Sequence, residues 1–90
     1  LMPSEYVLEQ NYPNPFNPST NFRIKIAEAG LTTLKIYNLL GQEVAVVLDE
    51  FMNPGTYEFS FDAAGLSSGI YFYRIRVNDF SASKKMILVR

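Results

Sequence analysis

Hydrophobic and polar residues alternate along several stretches of the chain, at a spacing of roughly ten residues. In the first stretch, Phe22, Ile24 and Ile26 alternate with Arg23 and Lys25. The stretches that share this pattern are residues 22–28, 32–38, 43–50, 56–62, 70–77 and 81–89. A period of two residues is typical of a β-strand that buries one of its faces. The pattern therefore predicts an all-β protein.

Turn-forming residues separate these stretches. The breaks are Leu40-Gly41, Asn53-Pro54-Gly55, residues 65–69 and Asn78-Asp79. Asn78-Asp79 stands between two long alternating stretches, which predicts a tight hairpin. Short strands with regular turns predict an immunoglobulin-like β-sandwich of about seven antiparallel strands.

Residues 39–50 are the stretch that comes nearest to a helical pattern. Gly41 and the β-branched residues Val44, Val46 and Val47 favour a strand there instead. We expect Val44, Val46 and Leu48 to share one face of that strand. No helix longer than one turn is predicted anywhere in the chain.

Residues 11–20, called the Pro-rich segment below, precede the first clear strand. Each of its three prolines follows Tyr12, Asn14 or Asn17, and a residue before proline avoids the helical region. Proline also lacks the N–H that a central strand needs. Because the segment carries two aromatic rings, we expect it to be a clamp fixed to the sandwich by burial of both. The residues predicted to form this clamp are Tyr12, Asn14, Pro15 and Phe16.

Length and composition limit the domain organisation and the chemistry. Ninety residues make one domain, predicted as residues 11–90, preceded by a linker or first strand in residues 1–10. The chain has no cysteine and no histidine, which excludes a disulfide scaffold, a thiol nucleophile and a Ser-His triad. It has no apolar run of about 18 residues and no signal peptide, so we predict no transmembrane segment. We expect the chain to be the C-terminal piece of a longer protein.

The acidic residues are scattered rather than clustered. Paired carboxylates for glycoside hydrolysis would need a cleft that a 90-residue sandwich does not predict. Oxygens of Asn14, Asn17 and Asp62 could hold calcium, but their spacing matches no calcium loop, so structural roles in turns are favoured. We therefore predict a protein that is not an enzyme, with no metal and no cofactor.

Charge is distributed unevenly along the chain. Residues 1–73 carry three basic and eight acidic side chains, whereas residues 74–90 carry five basic side chains and one acidic. Two interpretations stay open: ordinary solvated strand faces, or a basic C-terminal face that meets an acidic partner. Without a helix or an RNA-binding motif, no nucleic-acid partner is predicted.

Aromatic residues are frequent, with seven Phe and six Tyr. Phe72 falls on the outward side of its strand and Phe80 beside a turn, so they are the rings expected to be exposed. An exposed platform of rings would suit a carbohydrate-binding accessory module. The favoured alternative is that Phe72 packs under the Pro-rich segment.

Three motifs, taken in order, resemble the type A C-terminal sorting domain of the type IX secretion system. They are Asn14-Pro15 before a strand, residues 36–44 with the sequence IYNLLGQEV, and residues 66–90 with Gly69-Ile70-Tyr71 and Lys84-Lys85. The resemblance covers residues 8–90. The Pro-rich segment is also similar to the immunoglobulin-like domain of the flagellar hook-cap protein, which leaves a structural spacer or assembly module as the alternative function.

The resemblance implies a non-catalytic sorting and anchoring function. Such domains end exported proteins of Gram-negative bacteria, which reach the cell surface or the medium through the periplasm. The implied partners are the outer-membrane translocon, a sortase-like peptidase and an N-terminal cargo domain in the same chain, and we expect a monomer. The residues that match the sorting signal are Gly69, Ile70, Tyr71, Lys84, Lys85 and Arg90. The last strand could also offer its edge to a partner by β-augmentation.

Overall fold

A computed structural model describes residues 4–90, and within this range the chain forms seven strands and no helix. The strands are β1 (Val7–Leu8), β2 (Ser19–Ile26), β3 (Gly30–Tyr37), β4 (Glu43–Met52), β5 (Gly55–Asp62), β6 (Gly69–Val77) and β7 (Phe80–Leu88). The prediction of a seven-strand, all-β fold is confirmed. Of the predicted linker or first strand, residues 1–3 lie outside the described range.

The strands form two antiparallel sheets that pack face to face. One has three strands in the order β1-β2-β5, and the other has four in the order β4-β3-β6-β7. The inward side chains of both sheets form one hydrophobic core, in which Phe22 of β2 lies against Tyr73 of β6 with 4.7 Å between ring centroids. The fully buried members include Phe22, Ile24, Leu34, Tyr73 and Ile75.

The hairpin predicted at Asn78-Asp79 is confirmed. Val77 pairs directly with Phe80, so the two residues between them make the whole turn. Asn78 has φ of 53°, in the left-handed region that asparagine tolerates better than most residues. The last two strands are therefore held in a fixed register.

Strand β4 departs from the predicted alternation. Leu34 pairs with Leu48 but Lys35 pairs with Val46, so Val47 is an extra residue on β4. Such a β-bulge reverses which face the following side chains take. The expectation that Val46 shares a face with Leu48 is therefore wrong, because Val46 is 49% exposed and Leu48 is buried. A second register shift follows before Tyr37, and bulges of this kind are common in edge strands such as β4.

Asn78 ties the β6–β7 turn to the turn between β2 and β3. Its Nδ2 donates to the Tyr6 hydroxyl at 2.9 Å and to the carbonyls of Glu28 and Ala29 at 3.2 and 3.3 Å. Gly30 lies directly against this side chain, and a Cβ there would collide with the Asn78 carboxamide. The close approach explains why this position needs glycine.

We expect Gly30→Ala to lower the free energy of unfolding by about 1–3 kcal/mol, because the pinned Asn78 side chain must move or lose its hydrogen bonds. Urea denaturation of the purified chain measures the loss. Gly65→Ala is the matched control, since a Cβ at Gly65 meets nothing within 4 Å. Equal stability of the two variants would contradict the prediction.

Candidate functional site

The Pro-rich segment lies along the free edge of β7. Phe16 donates its backbone N–H to the Ile87 carbonyl and accepts from the Val89 N–H, both at 3.0 Å. Two residues before Phe16, the Asn14 side chain accepts a hydrogen bond from the Ile87 N–H at 2.9 Å. Gln10, just before the segment, donates from its side chain to the Lys85 carbonyl at 2.8 Å. The segment therefore works as a short extra strand beside residues 85–89, and that part of the edge is not open for β-augmentation.

The two aromatic rings of the segment have opposite environments. Phe16 is 2% exposed and belongs to the core, as predicted. The prediction for Tyr12 is wrong, because its ring is 79% exposed. The Tyr12 backbone pairs with Asn21 on β2, and side chains alternate along an extended chain. Since Asn11 points inward and is buried, Tyr12 must point outward.

A buried polar network fixes the start of the segment. The Tyr73 hydroxyl accepts from the Asn11 N–H and donates to the Glu9 carbonyl, both at 2.8 Å. The Asn11 side chain donates to the Thr20 hydroxyl at 3.0 Å, and Thr20 donates to the Pro13 carbonyl at 2.9 Å. These bonds join β6 to the segment through the core.

Sequence reasoning missed the residues of this network. One signal was present for Thr20, which is a polar residue on the same parity as the buried Phe22 and Ile24. A second was present for Tyr73, because a buried tyrosine hydroxyl needs a hydrogen-bond partner. For Asn11 the local pattern contained no such signal.

Burial raises the pKa of Tyr73 to about 12, and the hydrogen bond with Asn11 only partly offsets this. An unfolded tyrosine ionises near pH 10, so between pH 10 and 12 the unfolded chain loses a proton that the folded chain retains. We therefore expect this group to stabilise the fold fully below pH 10 and to lose that contribution as pH rises towards 12.

Tyr73→Phe tests this origin of the pH dependence. The variant is expected to be less stable at pH 8, because the buried Asn11 N–H loses its partner. Its stability should also decline less steeply above pH 10 than that of the unaltered chain. Urea denaturation across pH 8 to 11.5 compares the two slopes, and identical slopes would contradict the assignment.

The sorting-signal candidates at the start of β6 lie on the other side of β7 from the Pro-rich segment. Gly69, Ile70 and Tyr71 pair with Leu88, Ile87 and Met86. The Tyr71 hydroxyl donates to the Ser67 carbonyl at 2.7 Å, which fixes the loop before β6. Asn14 of the first motif and residues 69–71 of the third motif therefore lie on opposite sides of the end of β7.

Arg90 joins this group through hydrogen bonds rather than as a free charge. Its Nη1 donates to the carbonyls of Ala63, Ala64 and Leu66 at 3.0, 2.7 and 2.9 Å. Its backbone N–H donates to the Ser68 hydroxyl at 3.0 Å. These contacts, called the Arg90 latch below, bind the residue after β7 to the β5–β6 loop.

Lys84 and Lys85 lie farther back along β7. They pair with Tyr73 and Phe72, and they point to opposite faces, with Lys84 half-buried and Lys85 exposed. Within residues 4–90 neither lysine forms an ion pair. The structure therefore separates the sorting-signal candidates into two groups, one around Ile70 and Arg90 and one at the lysine pair.

The two aromatic rings that were expected to be exposed are both partly covered. Phe72 keeps 37% of its surface exposed on the outer face of the four-stranded sheet. The prediction that it packs under the Pro-rich segment is wrong, because β7 lies between the segment and β6. Phe80 is half-buried and stacks on Tyr6 with 5.2 Å between ring centroids.

Two of the three oxygen-bearing side chains considered for calcium, Asn14 and Asp62, form structural hydrogen bonds. Asn14 bonds to β7, and Asp62 accepts a hydrogen bond from the Ala64 N–H at 2.9 Å. In the part of the chain that the structure describes, no three His, Cys, Asp or Glu residues are grouped so as to hold a metal ion. The same range contains no helix that could cross a membrane.

Comparison with known proteins identifies a matching family and similar solved structures. A family model described as the secretion system C-terminal sorting domain matches residues 10–89. The crystal structure of dimeric latent PorU from Porphyromonas gingivalis matches 93% of the chain with a TM-score of 0.71 and 26% sequence identity. The chain spans 9% of the length of that PorU chain. No curated protein matches.

Proposed function

This chain belongs to the family of secretion system C-terminal sorting domains, and from that premise we propose which surface the secretion machinery recognises. As a sorting domain of the type IX secretion system, it directs an exported protein to the cell surface or the medium. The proposed recognition surface is residues 14–16, 69–71 and 85–90, called the motif platform below. It consists of part of the Pro-rich segment, the end of β7 with the two residues after it, and the start of β6, side by side.

One observation carries this proposal: motif residues from opposite ends of the chain are hydrogen-bonded to each other. Asn14 and Ile87 are 73 positions apart, yet the side chain of one accepts the N–H of the other. The platform therefore exists only once the whole sandwich has folded. A machine that recognises it would accept folded domains and reject unfolded ones.

The partners follow from the same function. A sorting domain interacts with the secretion machinery and is joined to a cargo chain. We propose that the partners are the outer-membrane translocon and a sortase-like peptidase, and that the domain acts as a monomer after an N-terminal cargo. That the domain catalyses no reaction of its own is part of this proposal.

An export assay tests the function. Residues 1–90 are fused to the C-terminus of a periplasmic reporter, in a Gram-negative host with a type IX system. We expect the reporter to leave the periplasm. Retention of the intact fusion in the periplasm would favour a structural spacer instead.

Two variants test the recognition surface within the same assay. Ile70→Thr changes an outward, 37% exposed side chain of the platform and keeps a β-branched residue. Lys84→Gln with Lys85→Gln tests the lysine pair, in which Lys85 lies at the end of the platform and Lys84 just outside it. The matched control for charge is Arg23→Gln with Lys25→Gln, on the outer face of the other sheet.

We expect several-fold lower export for Ile70→Thr and for the lysine variant, with thermal melts close to that of the unaltered chain. The control should export normally. Normal export by Ile70→Thr, with an unchanged melt, would refute the platform as the recognised surface while leaving the sorting function intact.

A further inference from the structure

Three strands of the four-stranded sheet, β3, β6 and β7, carry basic side chains on their outer face. These three strands carry no acidic side chain on that face. On β3, β6 and β7 the outward charged residues are Lys35, Arg74, Arg76 and Lys85. The acidic residues of this face, Glu43 and Asp49, are on β4 at one rim. We call the outward side of β3, β6 and β7 the basic face.

The outer face of the three-stranded sheet has no such excess. There Arg23 stands opposite Glu58 in the β2–β5 register, and its side chain approaches Glu9 at 3.6 Å. Opposite charges alternate across neighbouring strands, which is the usual arrangement on a solvated face. The excess of positive charge is therefore a feature of the four-stranded sheet and is not shared by the two outer faces of the sandwich.

Like charges are direct neighbours on the basic face. Lys35 pairs with Arg74 across the strands, and Arg76 is the next outward residue along β6. Like charges opposite each other destabilise a sheet. Lys35 is balanced by Glu43 at 3.2 Å, which leaves the two arginines without an ion pair within residues 4–90.

Arg74 is held in one orientation before any partner binds. Its Nη2 donates to the Tyr37 hydroxyl at 3.1 Å, and its guanidinium lies over the Tyr37 ring at 5.1 Å from the centroid. Its Nε is buried without a hydrogen-bond partner. An immobilised guanidinium binds a carboxylate at a lower entropic cost than a free one.

Two grooves extend along this face and share the Tyr37–Arg74 pair. One, of about 290 Å³, includes Thr33, Lys35 and Arg76, and the other, of about 340 Å³, includes Leu39 and Phe72. Together they follow β3 from Leu31 to Tyr37, a length of about 20 Å. That shape fits an extended chain better than a compact ligand.

We propose that the basic face docks an extended acidic segment of a protein of the secretion machinery. Its carboxylates lie against Arg74 and Arg76, and an apolar side chain at one end lies between Phe72 and Leu39. The charge complementarity rests on the contacts above, whereas the identity of the partner as secretion machinery rests on the proposed sorting function.

A binding experiment tests the chemistry without any secretion assay. The ¹⁵N-labelled 90-residue chain is titrated with an octapeptide in which glutamate alternates with serine and the last residue is leucine. We expect amide shifts concentrated on β3 and β6, and binding weakened at least fivefold when salt is raised from 50 to 500 mM. The same peptide with lysine in place of glutamate should cause no amide shifts.

Matched variants locate the binding. Arg74→Gln with Arg76→Gln should abolish the shifts, and Arg76→Gln alone, which leaves the Tyr37 contact in place, should weaken binding. Arg23→Gln with Lys25→Gln removes two positive charges from the other sheet and should bind normally. Equal peptide binding by all variants would overturn the proposal. It would also be overturned if the unaltered chain did not bind the glutamate peptide but, in a parallel measurement, bound phosphatidylglycerol vesicles.

The export assay then separates this proposal from the sorting function. With the reporter fusion, the Arg74/Arg76 variant should show several-fold lower export and an unchanged melt. If that variant and the intact fusion were both exported normally, the proposed docking at the basic face would be refuted and the sorting function would stand. Failure of the intact fusion refutes the sorting function, and the peptide titration still decides the chemistry of the face.

Discussion

Replacing Phe16 with alanine is expected to lower the free energy of unfolding by about 3–5 kcal/mol. The ring is 2% exposed although it belongs to a segment outside the named strands. Its loss leaves a cavity in the core, and it also loosens the two backbone bonds that Phe16 makes with Ile87 and Val89. Small domains have total stabilities of about 5–15 kcal/mol, so the variant should be largely destabilised.

Tyr12→Ala provides the control in the same segment. Its ring is 79% exposed, so removing it should change the stability by no more than about 0.5 kcal/mol. Urea denaturation of the two variants beside the unaltered chain measures both effects. If the two variants lost equal amounts of stability, the prediction would be contradicted. The buried Phe16 ring would then contribute no more than the exposed Tyr12 ring, and the segment would stabilise the fold through its backbone alone.

The alternation of hydrophobic and polar residues was sufficient to predict the sandwich. Each buried face is long enough that a slip of one residue would expose a whole row of apolar side chains, so register and pattern agree. Strand β4 is the exception, because it lies at an edge, where Val47 can be accommodated as a bulge with little loss of pairing. Nothing in the local sequence marks that position.

The Pro-rich segment was predicted to be fixed to the sandwich, and the structure fixes it, but one ring was assigned wrongly. The sequence indicated that the aromatic rings of the segment would pack against the sandwich, but it did not show which ring would point inward. The direction is set by Asn11, whose N–H is bonded to Tyr73 across the core. A contact between residues 62 positions apart leaves no trace in a local pattern.

The sequence motifs predicted residues of the proposed recognition surface but not the hydrogen bonds that those residues form. Arg90 was predicted from the motif as a sorting-signal residue in a basic C-terminal stretch, because sequence shows a charge and not its hydrogen bonds. In the structure its guanidinium is directed at three loop carbonyls. Its role in the domain is therefore predicted to be positioning of the β5–β6 loop, next to Gly69.

Arg90→Ala is expected to release this loop. Hydrogen bonds from a charged donor contribute about 1.5–3 kcal/mol when well shielded, and less here because Arg90 is exposed. We expect the amides of residues 64–69 to exchange with solvent about tenfold faster, which corresponds to about 1.4 kcal/mol of local stability. The core strands β2 and β3 should keep their protection, so the global melt should fall by only a few degrees.

Two further variants separate the charge of Arg90 from its hydrogen bonds. Arg90→Lys keeps the charge but cannot reproduce the planar guanidinium, so it should leave the loop almost as exposed to exchange as alanine does. Ser68→Ala removes only the acceptor of the Arg90 N–H and should have a smaller effect. If lysine restored full protection, charge alone would hold the loop and the latch geometry would be wrong. If instead alanine changed nothing, the loop would be fixed by Tyr71 and its bond to Ser67, and Arg90 would be available to a partner.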